Sequence, residues 1–253
     1  MRIGFLGTGG STSRGQRLNT SLVVTVSGGT ILIDCSGSPE QALARQGLMP
    51  GQISDLFLTH SHIDHVYALP SLLHSRRLNA LPGSPPPLFI HGIPPVLDTV
   101  RALLQVFWSR YPLPLQPVLR PLVPPEVITR FDLKIEVFPI RHGQQPSVGY
   151  RIDHPRCKSE ILFSGDAEPD PAIPARVNPD TILIHDCCGR TPQAHHTSAD
   201  QLVELLRDHP PKRLFLIHLP YLSPGDLRKL KTFFSHHHLP GVTIPGDGDS
   251  VIL

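Results

Sequence analysis

His60-Ser61-His62-Ile63-Asp64-His65 gathers three imidazoles and a carboxylate within six residues, directly after the apolar run Leu56-Phe57-Leu58-Thr59. The run reads as a short buried strand. Alternation along it puts His60 and His62 on one side, and the turn into a following helix brings Asp64 and His65 to a neighbouring point. Imidazole and carboxylate donors suit zinc, with manganese and iron also compatible. One hexapeptide can therefore serve two metal ions, and the remaining ligands must come from elsewhere in the chain.

Working outward, the same device recurs. Strand-like runs at 135–140, 161–163, 182–184 and 214–217 lead to His142, to Ser164-Gly165-Asp166, to His185-Asp186 and to His218. The chain opens with a strand, the turn Gly7-Thr8-Gly9-Gly10, and a hairpin about Gly28-Gly29. Helix starts are marked by the capping-box patterns Ser38-Pro39-Glu40-Gln41 and Ser198-Ala199-Asp200-Gln201, and by Ser223-Pro224. Strands alternating with amphipathic helices predict a layered α/β protein whose site lies along the strand ends. The repeated strand-to-histidine endings hint at two similar halves. A single domain over residues 1–253 is expected, with a Pro-rich insertion at 82–125 that holds short elements and rigid loops and walls the pocket. That stretch carries 12 of the 29 prolines.

Composition excludes several classes. With 23 basic and 21 acidic residues the net charge is +2, too small for a chain whose main task is neutralising a nucleic-acid backbone. No apolar run approaches the roughly 20 residues of a membrane span and no signal region opens the chain, so a cytoplasmic protein with no membrane partner is expected. The four cysteines, Cys35, Cys157, Cys187 and Cys188, form no disulfide framework. Cys35 reads as packing near the site, Asp34 as a hydrogen-bonding support for the metal loop, and His236-His237-His238 as solvated. Arg14, Arg17, Arg76 and Arg77 fit either a substrate phosphate or solvated charge.

The order HxHxDH, His, Gly-Asp and a final His resembles the metallo-β-lactamase superfamily over nearly the whole chain. Leu6-Gly7-Thr8-Gly9-Gly10 followed by Asn19-Thr20-Ser21, and His142-Gly143 followed by Gly149-Tyr150-Arg151, resemble its ribonuclease Z-like branch. The resemblance implies an αββα sandwich. It further implies two divalent metal ions, with His60, His62 and His142 on one, Asp64, His65 and His218 on the other, and Asp166 bridging them. Asp64 would also orient the attacking water. His196 matches the branch's histidine that assists the leaving group, and Asp186 the acidic residue that orients it.

The chemistry so implied is phosphodiester hydrolysis. Transfer-RNA 3′-processing members of the branch carry a protruding RNA-gripping arm between the third-histidine segment and the Gly-Asp motif. Here Tyr150 and Gly165 are too close in sequence for one. A small phosphodiester, such as a cyclic nucleotide or cyclic sugar phosphate, is therefore the expected substrate, and tRNA 3′ processing is the alternative. An iron-dependent redox member and a noncatalytic metal-binding module are the rivals from other classes. A homodimer is the assembly considered, since pairing would pool Arg76, Arg77, Arg101 and Arg110 into a basic surface.

Overall fold

Two seven-stranded sheets lie face to face. The computed structural model describes residues 1–78, 86–108, 117–237, 239 and 241–253. In the first sheet β1 (Arg2–Gly7), β2 (Ser21–Val26), β3 (Gly29–Ile33), β4 (Ile53–Phe57), β5 (Phe89–Gly92) and β6 (Val118–Pro121) follow one another, with β14 (Ser250–Ile252) outside β1. The second sheet runs from β7 (Glu126–Arg130) through β8 (Leu133–Ile140), β9 (Ser147–Asp153), β10 (Glu160–Phe163), β11 (Thr181–Asp186) and β12 (Arg213–Ile217) to β13 (Val242–Thr243). Each sheet passes from antiparallel neighbours to parallel ones: β3 to β6 are parallel, as are β10 to β13. This shared plan is the regularity behind the repeated strand-to-histidine endings.

Alternating side chains build the layers. Along β12, Phe215 and Ile217 join the core between the sheets, whereas Leu214 and Leu216 face a second core beneath the helices α5 (Ala199–Leu205) and α6 (Pro224–His236). Across the sandwich the Phe5 and Phe215 rings meet at 5.2 Å between centroids. The helices α1 (Pro39–Arg45), α3 (Leu69–Leu78) and α4 (Pro94–Trp108) cover the first sheet, and α2 (Ile63–Val66) is a single turn. Burying each large apolar side chain contributes roughly 1.5–3 kcal/mol. The expected αββα sandwich is therefore the architecture found. Among the described residues no helix is long and apolar enough to cross a membrane.

Two local expectations fail. Ser38 precedes α1 but its side chain makes no capping hydrogen bond, so Pro39 at the first turn and Gly47 in the left-handed region (φ 71°) delimit that helix without a capping box. The boxes at Ser198 and the cap at Ser223 do form. The Pro-rich stretch holds the short elements expected, but also one long helix. It supplies β5, the fifteen-residue α4 and β6, and Val96, Leu97, Val100 and Leu104 are buried in the core. Pro94 and Pro95 occupy the first turn of α4, where a missing N–H costs nothing. Residues 79–85 and 109–116, with Arg110, lie outside the described residues, as does His238. His236 and His237 are exposed.

Candidate metal centre

Asp34 organises the first cluster of ligands. It is fully buried just after β3, with its backbone in the left-handed region (φ 56°). Its Oδ1 accepts from the Thr59 backbone N–H at 2.9 Å, and its Oδ2 accepts from the Thr59 hydroxyl at 2.9 Å and from His65 Nδ1–H at 2.8 Å. A carboxylate only accepts, so Nδ1 of His65 holds the proton and Nε2 presents a lone pair. The Thr59 hydroxyl, its own proton committed to Asp34, accepts from His60 Nδ1–H at 2.9 Å. One carboxylate thus sets the tautomer of two histidines.

The predicted ligands converge. His62 Nδ1 lies 3.0 Å from His60 Nε2 and 3.1 Å from His142 Nε2. Asp166 Oδ2 lies 3.7 Å from His60 Nε2, 3.8 Å from His142 Nε2 and 3.2 Å from His218 Nε2, while its Oδ1 is 3.4 Å from His65 Nε2. Asp64 Oδ2 is 3.4 Å from His218 Nε2 and 3.8 Å from His65 Nε2. Two groups result, His60-His62-His142-Asp166 and Asp64-His65-His218, each with ligand atoms within 4.8 Å of one another. Donors on a tetrahedral centre with bonds of about 2.1 Å stand ~3.4 Å apart, which the observed separations bracket.

Unsatisfied atoms support the same fit. His65 Nε2 and Asp166 Oδ1 are buried without a hydrogen-bond partner, although the interior normally leaves few such groups. A cation between them would satisfy both. Burial, followed by the neighbouring histidine charges, holds His60 well below the usual imidazole range, and burial also lowers His62 and His142. These are the neutral forms that ligate. Burial alone would lower His65 as well, but Asp166 and Asp34 lift it well above the ordinary value. Burial would raise Asp166, and the surrounding histidines instead hold it well below the carboxylate range.

Beside the second group, His196 Nδ1–H donates to Asp186 Oδ2 at 2.8 Å, and the imidazole stacks on His218 at 5.1 Å between centroids. Asp186 ends β11 fully buried, so the strand fixes the carboxylate and the carboxylate fixes the ring. Burial would lower the imidazole, but Asp186 raises it above its usual value. His196 also groups with Asp166 and His218, two residues that it shares with the sets above. Every site residue expected from sequence thus stands at one edge, where the strands of both sheets end.

Some supports escaped the sequence reading. Tyr150, buried on β9, donates its hydroxyl to the Leu58 carbonyl at 2.6 Å and ties the second sheet to the segment that leads from β4 to His60. A Cβ on Gly10 would lie 2.8 Å from His218 Cε1, so glycine there permits the turn to pack against the ligand. Gly7-Thr8-Gly9-Gly10 is thus a packing turn. Arg17 is half-buried and donates to the Pro245 carbonyl and, at 2.6 Å, to the Thr8 hydroxyl. The Arg76 guanidinium donates to the carbonyls of Pro50, Ile53 and Pro86. Both arginines are occupied within the fold, which corrects any phosphate role for them. Arg14 stacks over Tyr221 at 5.1 Å. Cys35 is buried, and burial followed by the charge of Asp34 pushes its thiol up, as expected for a packing cysteine.

Comparison with known proteins adds the following. The family model described as Anti-Pycsar protein Apyc1 matches residues 1–224. Ribonuclease Z of Bradyrhizobium sp. (strain ORS 278) is 33% identical over 153 residues, covering 60% of this chain and 49% of that protein. The chain therefore spans about half the length of the first curated relatives it matches. Ribonuclease Z of Mycobacterium sp. (strain KMS) is 28% identical over 250 residues, covering 89% of this chain and 87% of that protein. Among solved structures, the metallo-beta-lactamase fold protein YhfI from Bacillus subtilis superposes with a TM-score of 0.80 at 15% identity, covering 99% of this chain and 98% of that one.

Proposed function

This chain belongs to the family described as Anti-Pycsar protein Apyc1, on the ribonuclease Z-like branch of the metallo-β-lactamase superfamily, and from that premise we propose that it is a two-metal hydrolase of small, cyclic phosphodiesters. The observation that carries the reading is the meeting of seven ligand side chains with a carboxylate-held histidine at one edge of the sandwich.

In this reading His60, His62 and His142 would hold one divalent cation and Asp64, His65 and His218 the other, with the Asp166 carboxylate, close to histidines of both sets, as the shared ligand. The imidazole-rich donor set favours zinc. Bound there, the cations would act as paired Lewis acids that lower the pKa of a shared water and offset charge on the phosphoryl oxygens. Asp64, half-buried beside His218, orients the attacking water. His196 has Nδ1 engaged by Asp186, which leaves Nε2 to deliver a proton to the departing oxygen. The reading has the chain acting as a single domain in the cytoplasm, with a homodimer as the assembly to test.

The short connection between β9 and β10, which comprises only residues 154–159, supports a small substrate. The RNA-gripping arm of tRNA-processing relatives has no room there. Cleavage at the tRNA 3′ end is the second reading, favoured by relatives named ribonuclease Z. The test compares kcat/KM of the zinc-loaded protein for cyclic nucleotides and bis-nitrophenyl phosphate with that for a 3′-extended precursor tRNA at physiological salt. Efficient, position-specific tRNA cleavage with trace activity on small diesters would replace the first reading by the second.

A further inference from the structure

Glu168 is a partly exposed carboxylate two residues beyond Asp166, and it lies outside both groups of ligands. Its Oε1 accepts from the Gly143 backbone N–H at 2.8 Å and from His195 Nδ1–H at 2.9 Å. Its own backbone N–H donates to the Arg141 carbonyl at 2.9 Å. One side chain therefore joins three loops, those that follow β8, β10 and β11.

What it joins is strained. His195 holds a left-handed backbone (φ 67°), and Gly143 does so too (φ 59°). A Cβ on Gly143 would lie 2.7 Å from His195 Nδ1, so the loop after β8 is pressed against this imidazole. A non-glycine residue in that region costs on the order of 1–3 kcal/mol, and it persists where the surroundings over-determine it. The outcome is that the His195 carbonyl accepts from His142 Nδ1–H at 2.8 Å. A carbonyl only accepts, so this bond puts the proton on Nδ1 of His142 and turns its Nε2 lone pair toward His62 and Asp166. The following residue is His196.

We propose that Glu168 is a positioning residue for the metal centre: by holding His195 and Gly143 together it aims the His195 carbonyl at His142 and fixes the tautomer in which His142 ligates. The inference rests on the metal-centre reading above and makes no use of the substrate. Polar partners beyond the ligands typically change metal affinity by 10–100-fold. In Glu168→Ala both acceptor contacts vanish. In Glu168→Gln an amide oxygen remains to accept from the same two donors.

The experiment measures zinc affinity of the full chain by competition with a chelator, together with the melting temperature of the metal-free protein and nitrogen NMR of the His142 ring. Glu168→Ala is expected to bind zinc at least tenfold more weakly and to lose the single Nδ1–H tautomer, with the metal-free melting temperature within a few degrees of wild type. Glu168→Gln is expected to return affinity to within about threefold. Wild-type affinity in Glu168→Ala overturns the proposal, as does a Glu168→Gln variant as weak as the alanine one. If Glu168→Ala does not fold, Glu168→Asp, which withdraws the carboxylate by one methylene, is read in its place by the same criteria. Zinc uptake by the wild type with no phosphodiester hydrolysis would refute the proposed function and leave this inference standing. A wild-type chain that takes up no zinc would sink both.

Discussion

Replacing His196 by alanine tests the division of labour at the site. The imidazole is held by one strong contact, 2.8 Å from Nδ1 to Asp186 Oδ2, and is stacked on His218, so Nε2 is its one free nitrogen. General acid catalysis contributes about 10²–10⁴-fold, equivalent to ~2.7–5.4 kcal/mol at 1.36 kcal/mol per tenfold. An alkoxide leaving group needs that proton, whereas nitrophenolate departs without it. His196→Ala should therefore slow hydrolysis of a cyclic nucleotide by two to four orders of magnitude and bis-nitrophenyl phosphate by less than about tenfold. The pH profile supplies a second reading. Asp186 raises the imidazole above its ordinary value, so the protonated acid persists to higher pH and the rate falls as pH climbs through that value. Asp186→Asn removes the raising charge and should move the fall to lower pH. Zinc content must be matched in every variant, because His196 also stands near Asp166 and His218. Equal losses on both substrates would refute the proton-donor role and assign His196 to metal support.

Three further outcomes are expected. Asp166→Ala should lower zinc content at both sites, because its carboxylate reaches ligands of each group; elemental analysis showing two zinc ions per chain in the variant would remove the bridging role. Gly10→Ala should displace His218, seen as loss of one zinc per chain together with a lower melting temperature of the metal-free chain, since the added Cβ falls 2.8 Å from the buried ring and 3.0 Å from its backbone oxygen; two zinc ions per chain in the variant would refute this. Asp55 on β4 accepts from His91 Nε2–H at 2.8 Å and from Arg130 Nε–H at 2.7 Å across the sandwich. Burial would raise its carboxyl, yet these partners lower it below the usual value, so its contribution is present above the unfolded carboxylate pKa of about 3.9 and is lost as pH falls through the lower folded value. Asp55→Asn should destabilise by about 3 kcal/mol at neutral pH, the low end for breaking a buried pair because Arg130 is 31% exposed, and denaturant melts at pH 7 and pH 3 should show the difference shrinking in acid.

Much of the candidate site was legible because apolar strands lead into it, and a run of four or five buried residues ending in His or Asp is visible without knowing the sheet. His60, Asp166, Asp186 and His218 all follow that rule. The resemblance then supplied their pairing, which spacing could not. What stayed hidden depends on contacts between distant segments. Tyr150 meets the Leu58 carbonyl 92 residues away, and Glu168 meets Gly143 and His195 at 25 and 27 residues. A tyrosine or glutamate carries no periodicity that announces such a bond. The Pro-rich stretch misled for a different reason: proline in the first turn of α4 is compatible with a helix, and the spacing of Val96, Leu97, Val100 and Leu104 was the stronger signal. Ser38 fails in the opposite way, since a capping sequence permits the bond and the approach angle of the chain decides whether it forms.

Strain in the fold is concentrated where the chemistry is proposed. Of the described non-glycine residues in the left-handed region, Asp34 is the hub of the histidine hydrogen bonds, His195 offers the carbonyl that His142 bonds, and His218 is one of the proposed ligands; Arg14 and Phe131 lie elsewhere. Of the six buried side-chain polar atoms without partners among the described residues, three, His65 Nε2, Asp166 Oδ1 and Asp186 Oδ1, belong to this edge. The core between the sheets shows neither feature: it is built mainly of apolar side chains, and its buried carboxylate Asp55 is fully partnered by His91 and Arg130. Local violations that the rest of a fold does not need are the mark of a site whose geometry is maintained at the expense of stability. On this argument His218 is left-handed because that conformation turns its Nε2 toward Asp64 and Asp166 immediately after β12, and the close approach of Gly10 to the same ring is the complementary half of one arrangement.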